Sequence, residues 1–173
     1  RVLDGFDQLE RVLYRPSVTY LYSKKLSLSL GYDAHFIKTG SDSTEQRLWQ
    51  QIAISGQTEL FKPLFRFRME ERFIDGIDGA VFRSRFLLGS AWPTGSEFIK
   101  NILVRNEIFF NLNELDRGPR SGFDQNRFFA GFNTSVAKGL GAELGYQHQY
   151  INRTGREDFS VHQLYIAISK SFD

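Results

Sequence analysis

The 173-residue chain has a formal net charge of +2, is 41% apolar and 15% aromatic, and contains no Cys. Its length suits one domain, its near-neutral balance gives no electrostatic footprint for nucleic acid, and without Cys it can form neither disulfides nor thiolate metal sites. No apolar run approaches the ~18 residues of a membrane helix; that excludes a helical membrane protein but not a barrel, whose strands need only ~9–11 residues, half of them apolar.

In chain order, "RVLDGFDQLE" comes first and lacks an initiating Met, so we expect a processed or trimmed start. The segment 12–22 alternates: Tyr14, Val18, Tyr20 and Tyr22 oppose Arg15, Ser17 and Thr19. The clearest case is 26–36, "LSLSLGYDAHF", with Leu26, Leu28, Leu30, Tyr32, Ala34 and Phe36 on one face and Ser27, Ser29, Gly31, Asp33 and His35 on the other. Such a period of two predicts strands. It recurs at 46–55, 63–73, 80–91, 98–111, 123–136, 142–151 and 159–172, making nine strands. Within 43–53, "STEQRLWQQIA" could pass for a helix, but Ile52 and Ile54 against Arg47 and Gln51 fit a strand register better.

The connections alternate in character. One set is 23–25, 55–62, 92–97 and 138–141; the other is 3–10, 38–45, 74–79, 113–122 and 152–158, more acidic and on average longer. An up-and-down outer-membrane barrel predicts short periplasmic turns alternating with longer outer loops. If the last strand ends in the periplasm, parity makes 3–10 an outer loop and leaves Arg1 and Val2 as the tail of an earlier strand. Even strand counts then predict about ten strands in the intact protein, with nine largely present and the first mostly missing.

Alternation alone does not say which face points outward, but the type of charge does. The polar faces carry Arg15, Arg47, Arg66, Arg68, Arg72, Arg83, Arg85, Arg105 and Arg127, opposed by Asp33, Glu70, Glu107 and Glu143. The lysines Lys24, Lys25, Lys38, Lys62, Lys100, Lys138 and Lys170 sit in or near turns. A solvated face uses Lys freely, whereas an enclosed polar space favours Arg, whose planar fork makes several fixed bonds. We therefore expect these thirteen Arg, Asp and Glu residues to form a luminal network, with Gln51, Gln125, Gln147 and Gln149 filling gaps. Trp49, Leu103 and Phe109 share the luminal register, and the Leu, Phe, Tyr, Ile and Val residues face lipid. Arg68 with Glu70, and Arg105 with Glu107, predict pairing at i, i+2. Tyr20, Tyr22 and Trp92 fall beside turns, where interfacial aromatics belong. Glu71, on the lipid register, is expected at the outer rim. The final "YIAISKSFD" is similar to the C-terminal aromatic signal of outer-membrane barrels, with Phe172 one residue from the end.

The succession "RPSVTYLYSKKLSLSLGYDAHF", "EQRLWQQ", "FRFRMEERF", "NEIFFNLN", "FDQNRFFAGF" and "LGYQHQYINR" resembles an uncharacterised bacterial family catalogued as domain of unknown function 2490. The resemblance covers essentially the whole chain and implies an outer-membrane β-barrel. It brings no accepted activity and no catalytic residue.

The Arg and Glu rows suit an ion-selective constriction, an anionic-ligand site, or an ion-pair plug; a barrel this small is nearly filled by side chains, which favours the plug. His35 lies near Asp33 on the polar face, but no Ser partner can be assigned to make an acyl-hydrolase triad. Parity places His148 and His162 with the apolar residues. The acidic loops "DGFDQLE", "IDGIDG" and "SDSTE" suit divalent cations, yet Asp-Gly pairs are first of all turn formers. The expectation is an all-β, up-and-down antiparallel transmembrane β-barrel in the outer membrane of Gram-negative bacteria. We expect it to be non-enzymatic, with a structural or envelope-permeability role, and to need no cofactor or metal. Its partners would be outer-membrane lipids and a small polar or anionic solute, not nucleic acid. The alternatives are a lipid-modifying enzyme of that membrane and a soluble lipocalin-like barrel.

Overall fold

The computed structural model describes residues 2–3, 8–9, 11–39, 41–153 and 157–171, and the side chains of 12–36, 43–153 and 157–171. The predicted Phe172 signal, most of the loop 3–10 and the centre of the loop 152–158 lie outside the described residues. The strands are β1 (Val2–Leu3), β2 (Gln8–Leu9), β3 (Arg11–Tyr14), β4 (Ser17–Leu21), β5 (Leu26–Thr39), β6 (Ser41–Ser55), β7 (Lys62–Ile74), β8 (Val81–Pro93), β9 (Asn101–Asn111), β10 (Gly122–Ala137), β11 (Leu140–Ile151) and β12 (Phe159–Lys170). No helix occurs among the described residues; "STEQRLWQQIA" is strand, as its register requires.

β1 and β2 form a separate two-stranded ladder. From β5 onward each strand pairs antiparallel with the next in sequence, an up-and-down order that ends at β12. β3 and β4 share one position against β5. Tyr14 faces Ala34 and Ser17 faces Gly31, so the register is continuous across the break. Pro16 causes the interruption, because it has no N–H to donate to the ladder. It stands in the first strand of the sheet, where edge geometry tolerates it.

Two boundaries differ from the expectation. The loop predicted at 38–45 is largely strand: Lys38 faces Asp42 and Thr39 faces Ser41, so β5 extends to Thr39 and β6 begins at Ser41. Polar residues on both faces hide strand periodicity from the sequence. The segment 98–100 belongs to a turn, where Ser96 Oγ accepts hydrogen bonds from the amides of Phe98 and Ile99 at 3.2 and 3.3 Å. The expected contrast between short and long connections is correspondingly weak.

The two faces are unlike in an unusual sense. The inner face buries charge: Asp33 and Glu70 are inaccessible and Arg83 is 3% exposed. The outer face exposes large apolar side chains, among them Leu88 at 66% and Leu164 at 79%. An aromatic stripe crosses five strands on that face, from Phe67 through Phe86, Phe110 and Phe123 to Tyr150, with successive ring centroids 5.0–6.4 Å apart. Two polar residues in its outward register, Asn106 and Asn126, hydrogen-bond each other across the strands at 2.8 Å.

The sheet twists enough to enclose space. Arg15, at the break between β3 and β4, lines one interior cavity together with Gln147 of β11 and Tyr165 of β12. The result is a curled half-barrel. Among the described residues no ladder joins β12 to β3 or β4.

Candidate functional site

The candidate site is the inner face. Period-two geometry sends every second residue of each strand into it, and cross-strand neighbours there sit only ~4.5–5.5 Å apart. Asp33 on β5 accepts two hydrogen bonds from Arg15, Nε to Oδ1 at 2.7 Å and Nη2 to Oδ2 at 2.6 Å, and a third from Trp49 Nε1 at 2.7 Å. On β6, Glu45 accepts a bidentate pair from Arg47 at 2.8 and 2.9 Å and a bond from Arg72 Nε at 2.5 Å. Glu70 binds the Arg83 fork at 2.9 and 2.6 Å and Arg85 Nη1 at 2.5 Å. Glu107 Oε1 is shared by Arg66 at 2.7 Å and Arg85 at 2.8 Å. Arg105 pairs with Glu143, and Arg83 Nη1 reaches Asp124 at 3.0 Å.

All thirteen predicted luminal residues lie on this inner face. The expected partners are corrected. Arg68 does not pair with Glu70, and Arg105 does not pair with Glu107. Residues i and i+2 on one strand stand ~6.6–6.8 Å apart, farther than cross-strand neighbours, so most bonds run between strands. Arg68 instead donates to Gln51 Oε1 at 2.7 and 3.0 Å.

Aromatic rings separate the charged layers. The Trp49 indole lies flat over Gly31, where an added Cβ would fall 2.2 Å from the ring, and the Arg68 guanidinium sits 3.8 Å above its centroid. On the opposite wall Phe129 covers Gly131 and Gly145, with Arg105 4.2 Å above it. Between them Phe109 is inaccessible and meets Arg83, Arg85 and Arg127 at 5.2, 4.5 and 4.7 Å. These contacts combine ring burial with cation–π attraction.

Sequence reading missed two acids here. Glu45 fell in the segment read as a loop, although it shares the parity of Arg47 and Trp49. Asp124 lies on the outward parity but stands at a bulge, where the register shifts between Phe123 and Gln125. The extra residue turns Phe123 outward and lets both Asp124 and Gln125 reach the interior, as bulges do. With these two, six carboxylates face nine guanidiniums among the described residues.

Two guanidiniums, Arg68 and Arg127, have no carboxylate partner among the described residues. Buried nitrogens without a hydrogen bond are Arg66 Nε, Arg68 Nη1, Arg72 Nη1, Arg127 Nε and both nitrogens of His35. His35 Nε2 stands 3.7 Å from Asp33 Oδ2, beyond hydrogen-bond reach. No Ser hydroxyl bonds His35 among the described residues, so the geometry of an acyl-hydrolase triad is not assembled there. His148 and His162 lie on the outer register with ring centroids 4.9 Å apart and planes tilted by 35°, and His162 Nδ1 meets Tyr146 Oη at 2.5 Å. At the rim, Asp158 accepts hydrogen bonds from Tyr150 Oη and from the Arg153 amide; the tyrosine bond chiefly holds its carboxyl below the usual range.

The inner face retains cavities of about 270 Å³ and 350 Å³ among the described residues. Arg15 and Arg127 line both.

An antiparallel up-and-down half-barrel with charge inside and apolar residues outside defines the architectural class. The chain belongs to a protein family of unknown function, DUF2490, which matches residues 1–160. It is similar to an uncharacterised protein of Methylorubrum extorquens, 30% identical over a 165-position alignment that covers 92% of this chain and 70% of the relative. No solved structure matches the chain.

Proposed function

We propose that this chain forms the wall of an outer-membrane β-barrel. Its interior is a salt-bridged plug rather than an open pore, and its role is structural or concerned with envelope permeability, without catalysis. One observation carries the reading: charge is buried inside while Leu, Ile and Phe are exposed outside, over strands long enough to span hydrocarbon. A lipocalin-like barrel in water needs the opposite arrangement. The bidentate Arg–carboxylate pairs and the rings of Trp49, Phe109 and Phe129 fill the interior as a plug would. Outer-membrane lipids would cover the apolar face, and Tyr20, Tyr22 and Trp92, all exposed and close to turns, suit its aqueous boundary.

The test is fractionation followed by conductance. The expressed chain should sediment with membranes and need detergent for extraction; recovery in the soluble fraction removes the membrane reading. In planar bilayers the purified protein should show negligible conductance, and stepwise openings overturn the plug.

A further inference from the structure

We propose that the 270 Å³ interior cavity is an oxyanion site that takes a phosphate group against Arg127 and Arg66. Arg127 is the centre of the argument. Its side chain is half-buried, stacks on Phe109, and makes a single side-chain hydrogen bond, to neutral Gln125 Oε1 at 3.4 Å. Its Nε has no partner. A guanidinium stays protonated in proteins, and an unpaired charge out of water is strongly unfavourable.

The cavity shares this excess. Arg15, Arg66, Arg105 and Arg127 line it, with Glu107 as its one carboxylate. Glu107 Oε1 is already held by Arg66 and Arg85, and Arg66 keeps a buried Nε without a partner. Arg15 and Arg105 are neutralised by Asp33 and Glu143, so they define the wall, and Arg127, across the ladder from Glu107, has no carboxylate within hydrogen-bond reach among the described residues. A multiply charged tetrahedral anion fits this need better than a single carboxylate. Its oxygens accept from several planar forks at once, and its charge offsets the surplus of guanidiniums over carboxylates. The site concerns the interior alone and stands whether or not lipid covers the outer face. Its failure would show in anion dependence, and failure of the membrane reading in fractionation.

The experiment follows thermal unfolding of the whole chain in neutral detergent, with sodium phosphate titrated against sodium chloride at constant ionic strength. A saturable rise in Tm with phosphate is expected, as for any ligand that binds only the folded state. Equal melting in the two salts overturns the proposal unless dihexanoyl phosphatidic acid raises Tm. That outcome identifies a lipid headgroup as the source of the phosphate, whereas a response to inorganic phosphate identifies the free ion; silence to both sinks the site. Arg127→Gln should lose the phosphate response while melting in chloride no lower than the wild type, because it removes an unmatched charge. Arg127→Lys keeps the charge without the fork, and its half-saturating phosphate concentration should rise at least ~10-fold. Arg153→Gln, at the rim over Phe159, should leave the response intact. A full phosphate response in Arg127→Gln, or in Arg127→Lys should the Gln variant not fold, also overturns the proposal.

Discussion

Glu70 shows what one buried residue does in this interior. It is inaccessible and holds Arg83 and Arg85 together. Glu70→Gln keeps the shape but leaves Arg83 with Asp124 alone and Arg85 with a Glu107 it shares with Arg66, and breaking such buried pairs costs up to about 3–5 kcal/mol. Denaturant unfolding in detergent should show that loss, and adding Arg83→Met should recover part of it; an unchanged midpoint for Glu70→Gln contradicts the network. At this scale much of the interior was legible in the sequence. Strict alternation and the preference for Arg over Lys placed thirteen charged residues on one face. The partners were not legible, because cross-strand register decides them and one chain's periodicity carries no register. Asp124 was hidden by a one-residue bulge, and Glu45 by a polar strand end that reads as loop.

At the scale of the element, depth along a strand decides what a substitution costs. Leu88 lies near the centre of β8 and points outward, whereas Leu28 is two residues from the start of β5, beside a turn. If lipid covers this face, Leu88→Arg should destabilise by ~2–4 kcal/mol and Leu28→Arg by ~0–1, following the depth dependence of lipid-facing charges. Equal and small losses at both sites, measured by unfolding from lipid or detergent, would mean that water covers the face. All nine predicted strand segments form strands. What shifted were their ends, where apolar alternation fades: β5 runs on to Thr39 and β6 starts at Ser41, and Pro16 divides the first segment without changing its register. Glu71 fits the same account, since it is outward on β7 three residues from the strand's end.

For the whole molecule, the order of the ladder predicts the order of local stability. β7, β8 and β9 are hydrogen-bonded on both sides, but β12 and the β3–β4 pair on one side only among the described residues. Local opening starts where backbone bonds are fewest and most exposed. Hydrogen exchange of this chain should therefore be fastest in β4 and β12 and slowest in β7–β9; uniform exchange would point to a closed ring. The sequence could suggest a barrel by counting segments, yet curvature and closure depend on twist and stagger summed over all strands, which no single segment records.

The inversion of faces has a spectroscopic consequence. The chain has two tryptophans. Trp49 is 2% exposed beneath Arg68 inside, and Trp92 is 38% exposed outside, beside Phe61. The molecule thus carries one indole in its charged interior and one on its apolar surface. If lipid covers the outer face, a quencher dissolved in the acyl chains would act on Trp92 and a solute admitted to the interior on Trp49, so intrinsic fluorescence would report the two environments independently, without any added label.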